Sequence, residues 1–214
     1  MALDLPPIGN NHSPTGFQDD ITHIGAAISR VADQGEDVLL VMHSRGGHCR
    51  SDAAQGLRKA DREAAGKRGR IVRLVYLCAF AASERMSVFF ATNGPDDWIQ
   101  VNHDICIPMH SEEIFYNDCT AEQIEEAKRD LRPQGTRCFL LPLSYAAWKH
   151  MPSTYLVRKN DRGIPLAAQE GLVAQPGAQF EVERCQAGHS PFLSMPDFTA
   201  EVVRRAAGEN VCGG

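Results

Sequence analysis

Apolar and polar positions follow two different periods along this chain. Phe17, Ile21, Ile24, Ile28 and Val31 recur at helical spacing, with Asp19 and Asp20 in the first turn and Gly35 just past the end, so an amphipathic helix is predicted there. VLLVMH (38–43) is continuously apolar, as a strand buried on both faces would be, and the small residues after it open a helix to about Lys59. IVRLVYLCAF (71–80), STYLVRKN (153–160) and AQFEVERC (178–185) read as further strands, each followed by a helix, around 84–91, 165–175 and 197–207. Strands separated by helices pair in parallel and carry helices on both faces, so the predicted class is α/β with a doubly wound, mostly parallel sheet.

The stretch 93–150 breaks this alternation. It holds Trp98, an acidic helix (Ala121 to Leu131) and an aromatic cluster (Phe139, Tyr145, Trp148), and shows no good strand pattern. An excursion of this kind between two strands predicts a helical cap, 93–150, inserted between core segments 1–92 and 151–214, over the sheet edge where open α/β folds place their sites.

Composition narrows the partners. With 214 residues, 43% hydrophobic and 23% charged, the chain suits one large globular domain, and its net charge of -5 opposes nucleic acid or an anionic membrane as partner. Lys67 to Arg70 is too short a basic run to reverse that and reads as a solvated loop. No apolar run reaches the roughly 20 residues of a membrane helix, and MALDLPPIGNN lacks the pattern of a secretory leader, so a cytoplasmic location is expected. The seven cysteines are scattered without C-x-x-C spacing, which predicts free thiols rather than a disulfide framework or a zinc site. His43, His48, His103 and His110 read as structural or solvated, so no metal and no cofactor are expected.

The chemistry begins where the first strand ends. Met42-His43-Ser44-Arg45-Gly46-Gly47 passes from strand to helix through a serine followed by small residues. That turn exposes a serine on a strained corner beside the amides of a helix N-terminus. Asp161 follows the 153–160 strand and His189 the 178–185 strand, so both fall at the same carboxyl edge as Ser44. The order Ser44, Asp161, His189 suits a nucleophile, an orienting acid and a general base on an α/β-hydrolase sheet. Glu84, beyond the 71–80 strand, is the alternative acid.

From about Asp4 to Gly208 the sequence resembles the small α/β-hydrolase superfamily members that include plant methylesterases and hydroxynitrile lyases, and above all their fungal relatives. LDLPPIG (3–9), GEDVLLVMHSRGG (35–47), VRLVYLCAF (72–80), EEIFYND (112–118), LSYAAWKHMPSTYLVRKNDRGIP (143–165) and AGHSPFLSMP (187–196) carry the resemblance. It implies Ser44 as nucleophile, Asp161 as acid, His189 as base, the Arg45 backbone N–H as one oxyanion donor and 93–150 as the cap. Two departures stand out. Met42 replaces the first glycine of the family's Gly-His-Ser-x-Gly-Gly, so its side chain must point away from the turn or distort it. The chain also starts at the tail of the family's second strand, so the fold is expected to be N-terminally truncated, without the His-Gly strand whose loop supplies the second oxyanion donor. Loss of one donor typically costs on the order of 10²- to 10³-fold in rate. The 38–43 strand would then be an open edge, a place for homo-oligomeric pairing.

These residues imply a serine-dependent hydrolase or acyl-chemistry enzyme acting on an ester, lactone or thioester of a small, largely apolar metabolite. The fungal resemblance suggests a tailoring step in secondary metabolism. Ser190 stands where the lyases carry a lysine after the histidine, which sets cyanohydrin cleavage aside. Tyr145 and Trp148 are candidates for the substrate wall. The alternative reading is a degenerate, non-hydrolytic member that isomerises, cyclises or only binds a small molecule or partner.

Overall fold

The computed structural model describes residues 17–211. LDLPPIG and Cys212 lie outside the described residues. The elements run α1 (Phe17–Ala32), β1 (Val38–Ser44), α2 (Gly46–Ala53), α3 (Lys59–Ala64), β2 (Ile71–Ala79), α4 (Val88–Ala91), β3 (Ile99–Asn102), β4 (Ile105–Pro108), α5 (Ser111–Ile114), α6 (Ala121–Asp130), β5 (Gln134–Gly135), α7 (Arg137–Leu140), β6 (Ser153–Arg158), α8 (Leu166–Val173), β7 (Phe180–Cys185), α9 (Pro191–Ser194) and α10 (Pro196–Ala206).

β1, β2, β6 and β7 form a four-stranded sheet in that order, every neighbouring pair parallel. The expected doubly wound class is therefore present. Strand composition follows position. β6 is buried at every residue and β2 nearly so, because helices cover both faces of the centre. β7 alternates and β1 exposes Val41, as edge strands do. One face packs Ile24 and Ile28 of α1 with Leu40, Met42, Leu74, Tyr76 and Tyr155. The other packs Val75, Leu77 and Leu156 against Val202 of α10.

The structure corrects three sequence expectations. The helix expected to run from the serine turn to Lys59 is two helices, α2 and α3, separated at Gly56, whose φ of 77° ends the first. The helix around 84–91 is only the single turn α4. The middle stretch, expected to lack strands, contains a three-stranded antiparallel sheet, β3-β4-β5. Its strands are two to four residues long, too short to display a period of two in sequence. α6, by contrast, forms as expected and is fixed at its start by a capping box between Thr120 and Gln123. None of its side chains is buried.

Candidate active site

β1 runs straight into α2 through Ser44, whose φ is 52°. A left-handed serine costs roughly 1–2 kcal/mol relative to ordinary backbone and survives because the surroundings over-determine it. The β1–β2 register slips between His43 and Ser44, so Ser44 pairs with Ala79 and its carbonyl accepts the Phe80 N–H at 3.0 Å. Gly47 permits the close return of the helix. A Cβ there would lie 2.8 Å from the Phe80 carbonyl oxygen and 2.9 Å from the Ala79 side chain. Met42 points away from the turn into the α1 face of the core, 1% exposed.

Asp161 leaves the end of β6 in a tight turn in which Oδ1 accepts the N–H groups of Gly163 and Ile164, both at 2.8 Å. The His189 Nδ1 lies 2.9 Å from Oδ1 and 3.0 Å from Oδ2. Burial pushes the Asp161 carboxyl upward, but the His189 hydrogen bond and charge, the Arg158 charge and the Ile164 amide outweigh it, so its pKa falls below 3.8. An ionised Asp161 thus fixes the imidazole tautomer with the proton on Nδ1, leaving Nε2 as the basic nitrogen. Glu84, the alternative acid, accepts the Ala146 N–H and pairs with Lys149, away from the imidazole.

Two further side chains hold the His189 backbone. Arg158, fully buried, donates Nη1 to the His189 carbonyl at 2.8 Å and Nη2 to the Leu77 carbonyl at 2.7 Å, and Nη2 lies 3.5 Å from Asp161. Burial lowers its pKa to about 10, which leaves it cationic at neutral pH. His43 donates Nε2 to the same carbonyl at 2.9 Å. Burial, then the His189 and Arg158 charges, hold His43 well below 6.5, so it is a neutral donor. The cap adds a contact from the other side, where Asp118 accepts the Gly188 N–H at 2.6 Å and the Phe115 ring lies 5.2 Å from the imidazole.

Ser44, Arg45, His189 and Ser190 line one cavity of about 1030 Å³. Its walls come from α1 (Ile24, Ile28, Val31), β1 (Leu39, Val41) and the cap (Phe115, Tyr116, Leu131). No hydrogen bond joins Ser44 Oγ to the imidazole among the described residues. Arg45 begins α2, and its side chain reaches Asp20 of α1 at 3.1 Å and Gln134 of β5 at 2.6 Å, tying the turn to a helix and to the cap.

The fold brings Ser44, Arg45, Asp161 and His189 to one place, as the sequence order implies, but it corrects the expected wall. Trp148 is core, donating Nε1 to the Ala82 carbonyl and packing on Phe180. Tyr145 stacks on His150 and packs against the same core. Neither lines the cavity. Phe115, Tyr116 and Phe192 do so instead, all from EEIFYND and AGHSPFLSMP, two of the segments that carry the family resemblance and so the signal that points to them. Cys78, Asp161 and His189 are the one group of potential metal ligands found among the described residues, and in it the imidazole and carboxylate are already bonded to each other.

A family model described as the alpha/beta hydrolase family matches residues 1–202. Among curated proteins, the chain is 30% identical over 217 residues to alpha/beta hydrolase nvfD of Aspergillus novofumigatus, covering 99% of this chain and 86% of that one. It is 24% identical to the probable hydrolase R7 of a Phoma species, covering 89% of this chain and 78% of that one. Among solved structures, polyneuridine aldehyde esterase superposes with a TM-score of 0.73 at 19% identity, over 96% of this chain and 87% of that one. A pyrethroid hydrolase from Sphingobium faniae does so with a TM-score of 0.72 at 20% identity, over 91% and 79%. At such identities the two structures show a shared fold.

Proposed function

The chain belongs to the alpha/beta hydrolase family, and from that premise we propose that it is a serine-dependent hydrolase of an ester, lactone or thioester in a small, largely apolar molecule. The observation that carries this reading is the Asp161–His189 pair at 2.9 Å, facing the cavity that the left-handed Ser44 also lines. In this reading Ser44 Oγ attacks the carbonyl carbon while His189 Nε2 takes its proton. Asp161 stabilises the imidazolium, and the Arg45 N–H at the start of α2 faces the negative oxygen of the tetrahedral intermediate. Collapse expels the alcohol or thiol with the proton returned by His189, and water repeats the sequence on the acyl-enzyme. The apolar walls support an apolar substrate. The two fungal relatives support a place among tailoring steps of fungal metabolism.

The edge of β1 is where the sequence places pairing between copies, but that edge lines the cavity, and a substrate and a partner strand compete for it. We assign it to the small molecule. A serine-reactive fluorophosphonate tests the central claim. The folded protein should be labelled and Ser44→Ala should not; absence of labelling in the folded protein removes the hydrolase reading and leaves a non-hydrolytic binding or isomerising role.

A further inference from the structure

Two guanidinium groups and one carboxylate surround the serine turn. Arg45 is engaged, at 3.1 Å by Asp20 and at 2.6 Å by Gln134. Arg50, one helical turn beyond Gly46 on α2, lines the cavity that Ser44 lines, and no hydrogen bond or ion pair engages its guanidinium among the described residues. A Cβ built on Gly46 would lie 1.8 Å from Arg50 Nη1 and 3.0 Å from Cζ, so the guanidinium folds back over Gly46, two residues from the serine. Any side chain at 46 would displace it, and the glycine therefore makes room for a cation as well as for the turn.

The charges do not balance. Asp20 feels the charge of both arginines but is bonded to Arg45, which leaves about one positive charge on the cavity wall beside Ser44. Much of the remaining wall is apolar, with Ile24, Ile28 and Val31 on one side and Leu39 and Val41 on the other, and Asp37, which also lines the cavity, is paired with Arg70 at 3.6 Å. A half-buried guanidinium with no ion pair of its own among the described residues is under-solvated, and a ligand oxygen that pairs with it in two-point fashion recovers that loss. Arginine's planar fork matches a carboxylate, which lysine's point charge does not.

We propose that Arg50 receives a carboxylate of the substrate, so that the preferred substrate is an ester or lactone bearing a free acid close to the cleaved carbonyl, with its apolar body along β1. The inference rests on the hydrolase reading for the reaction but not for the binding.

Two measurements test it. The first compares kcat/KM for 4-nitrophenyl hydrogen glutarate and 4-nitrophenyl hexanoate, esters alike except for the terminal carboxylate. The acidic-over-neutral ratio should fall at least tenfold in Arg50→Gln and less in Arg50→Lys; an unchanged ratio overturns the proposal. The second needs no turnover. Calorimetry of glutaric acid monomethyl ester on Ser44→Ala should show binding that weakens at least tenfold when Arg50→Gln is added. Arg50-dependent binding with no ester hydrolysis sinks the hydrolase reading and keeps this one, whereas binding indifferent to Arg50 sinks this one whatever the hydrolysis shows.

Discussion

The two sides of the site differ in how they are held. On the β6–β7 side, Asp161 accepts two backbone amides and the imidazole, Arg158 binds two carbonyls, and Gln169 bonds the N–H and carbonyl of Arg158 and the Ile164 carbonyl. On the β1 side, Ser44 sits at the end of an edge strand, and the Arg45 beside it is held by Asp20, one of whose carboxylate oxygens has no partner among the described residues, and by a glutamine of the cap. The difference has a physical reason. An acid and a base must keep one geometry throughout a reaction, which this dense network of short bonds enforces even though Arg158 Nε has no partner among the described residues. A nucleophile must be reached, and Ser44 lines the cavity.

The largest predicted effects test whether the two sides act together. Ser44→Ala should remove esterase turnover by about 10⁶-fold and Asp161→Asn by about 10⁴-fold, with circular dichroism unchanged. A small loss in either would separate the two sides. Stability should follow the networks. Arg158→Met strands the His189 and Leu77 carbonyls and should cost about 3–5 kcal/mol in urea unfolding. Arg45→Met should cost less, about 1–3 kcal/mol, because burial already pushes the Asp20 pKa up and the orphaned carboxyl takes a proton rather than remaining a bare charge. Equal costs would contradict the comparison.

The response to acid should separate the sides too. His48, fully buried on α2 against Phe17 with Nδ1 unpartnered among the described residues, is lowered from 6.5 to about 4 by burial. The unfolded chain then takes the proton first, so stability is full above pH 6.5 and falls as pH drops toward 4, by about 3 kcal/mol at about 1.36 per unit. His48→Leu should flatten that slope. Asp161, with a lowered pKa, stabilises the fold above about pH 3.8 and its contribution is lost only below it. Hydrogen exchange at about pH 5 should therefore quicken in β1 and α2 before the 159–165 loop. The smallest effect concerns assembly. Light scattering should give the mass of one chain at micromolar concentration, and a dimer that Val41→Lys dissociates would assign the β1 edge to a partner strand.

Much of this architecture is legible in sequence because its signals are local. Apolar runs mark the strands, continuous in β1 and β2 and alternating in β7, and Ser44, Asp161 and His189 each follow such a strand, which places them at one edge of any parallel sheet. The fold class, the four main strands and the three meeting residues follow from that pattern alone. The cap strands leave no trace in it because two to four residues cannot show a period. Trp148 and Tyr145 have the composition of a substrate wall, yet burial among Phe180, Ala82 and His150 is a property of the packed chain and not of aromatic composition. Arg158 and Arg50 show the same division. Neither is singled out by the sequence pattern, and only the tertiary structure puts one beneath the His189 carbonyl and the other over Gly46 on the cavity wall, because a guanidinium's partners are set by what lies within a few ångströms in space and not by its neighbours along the chain.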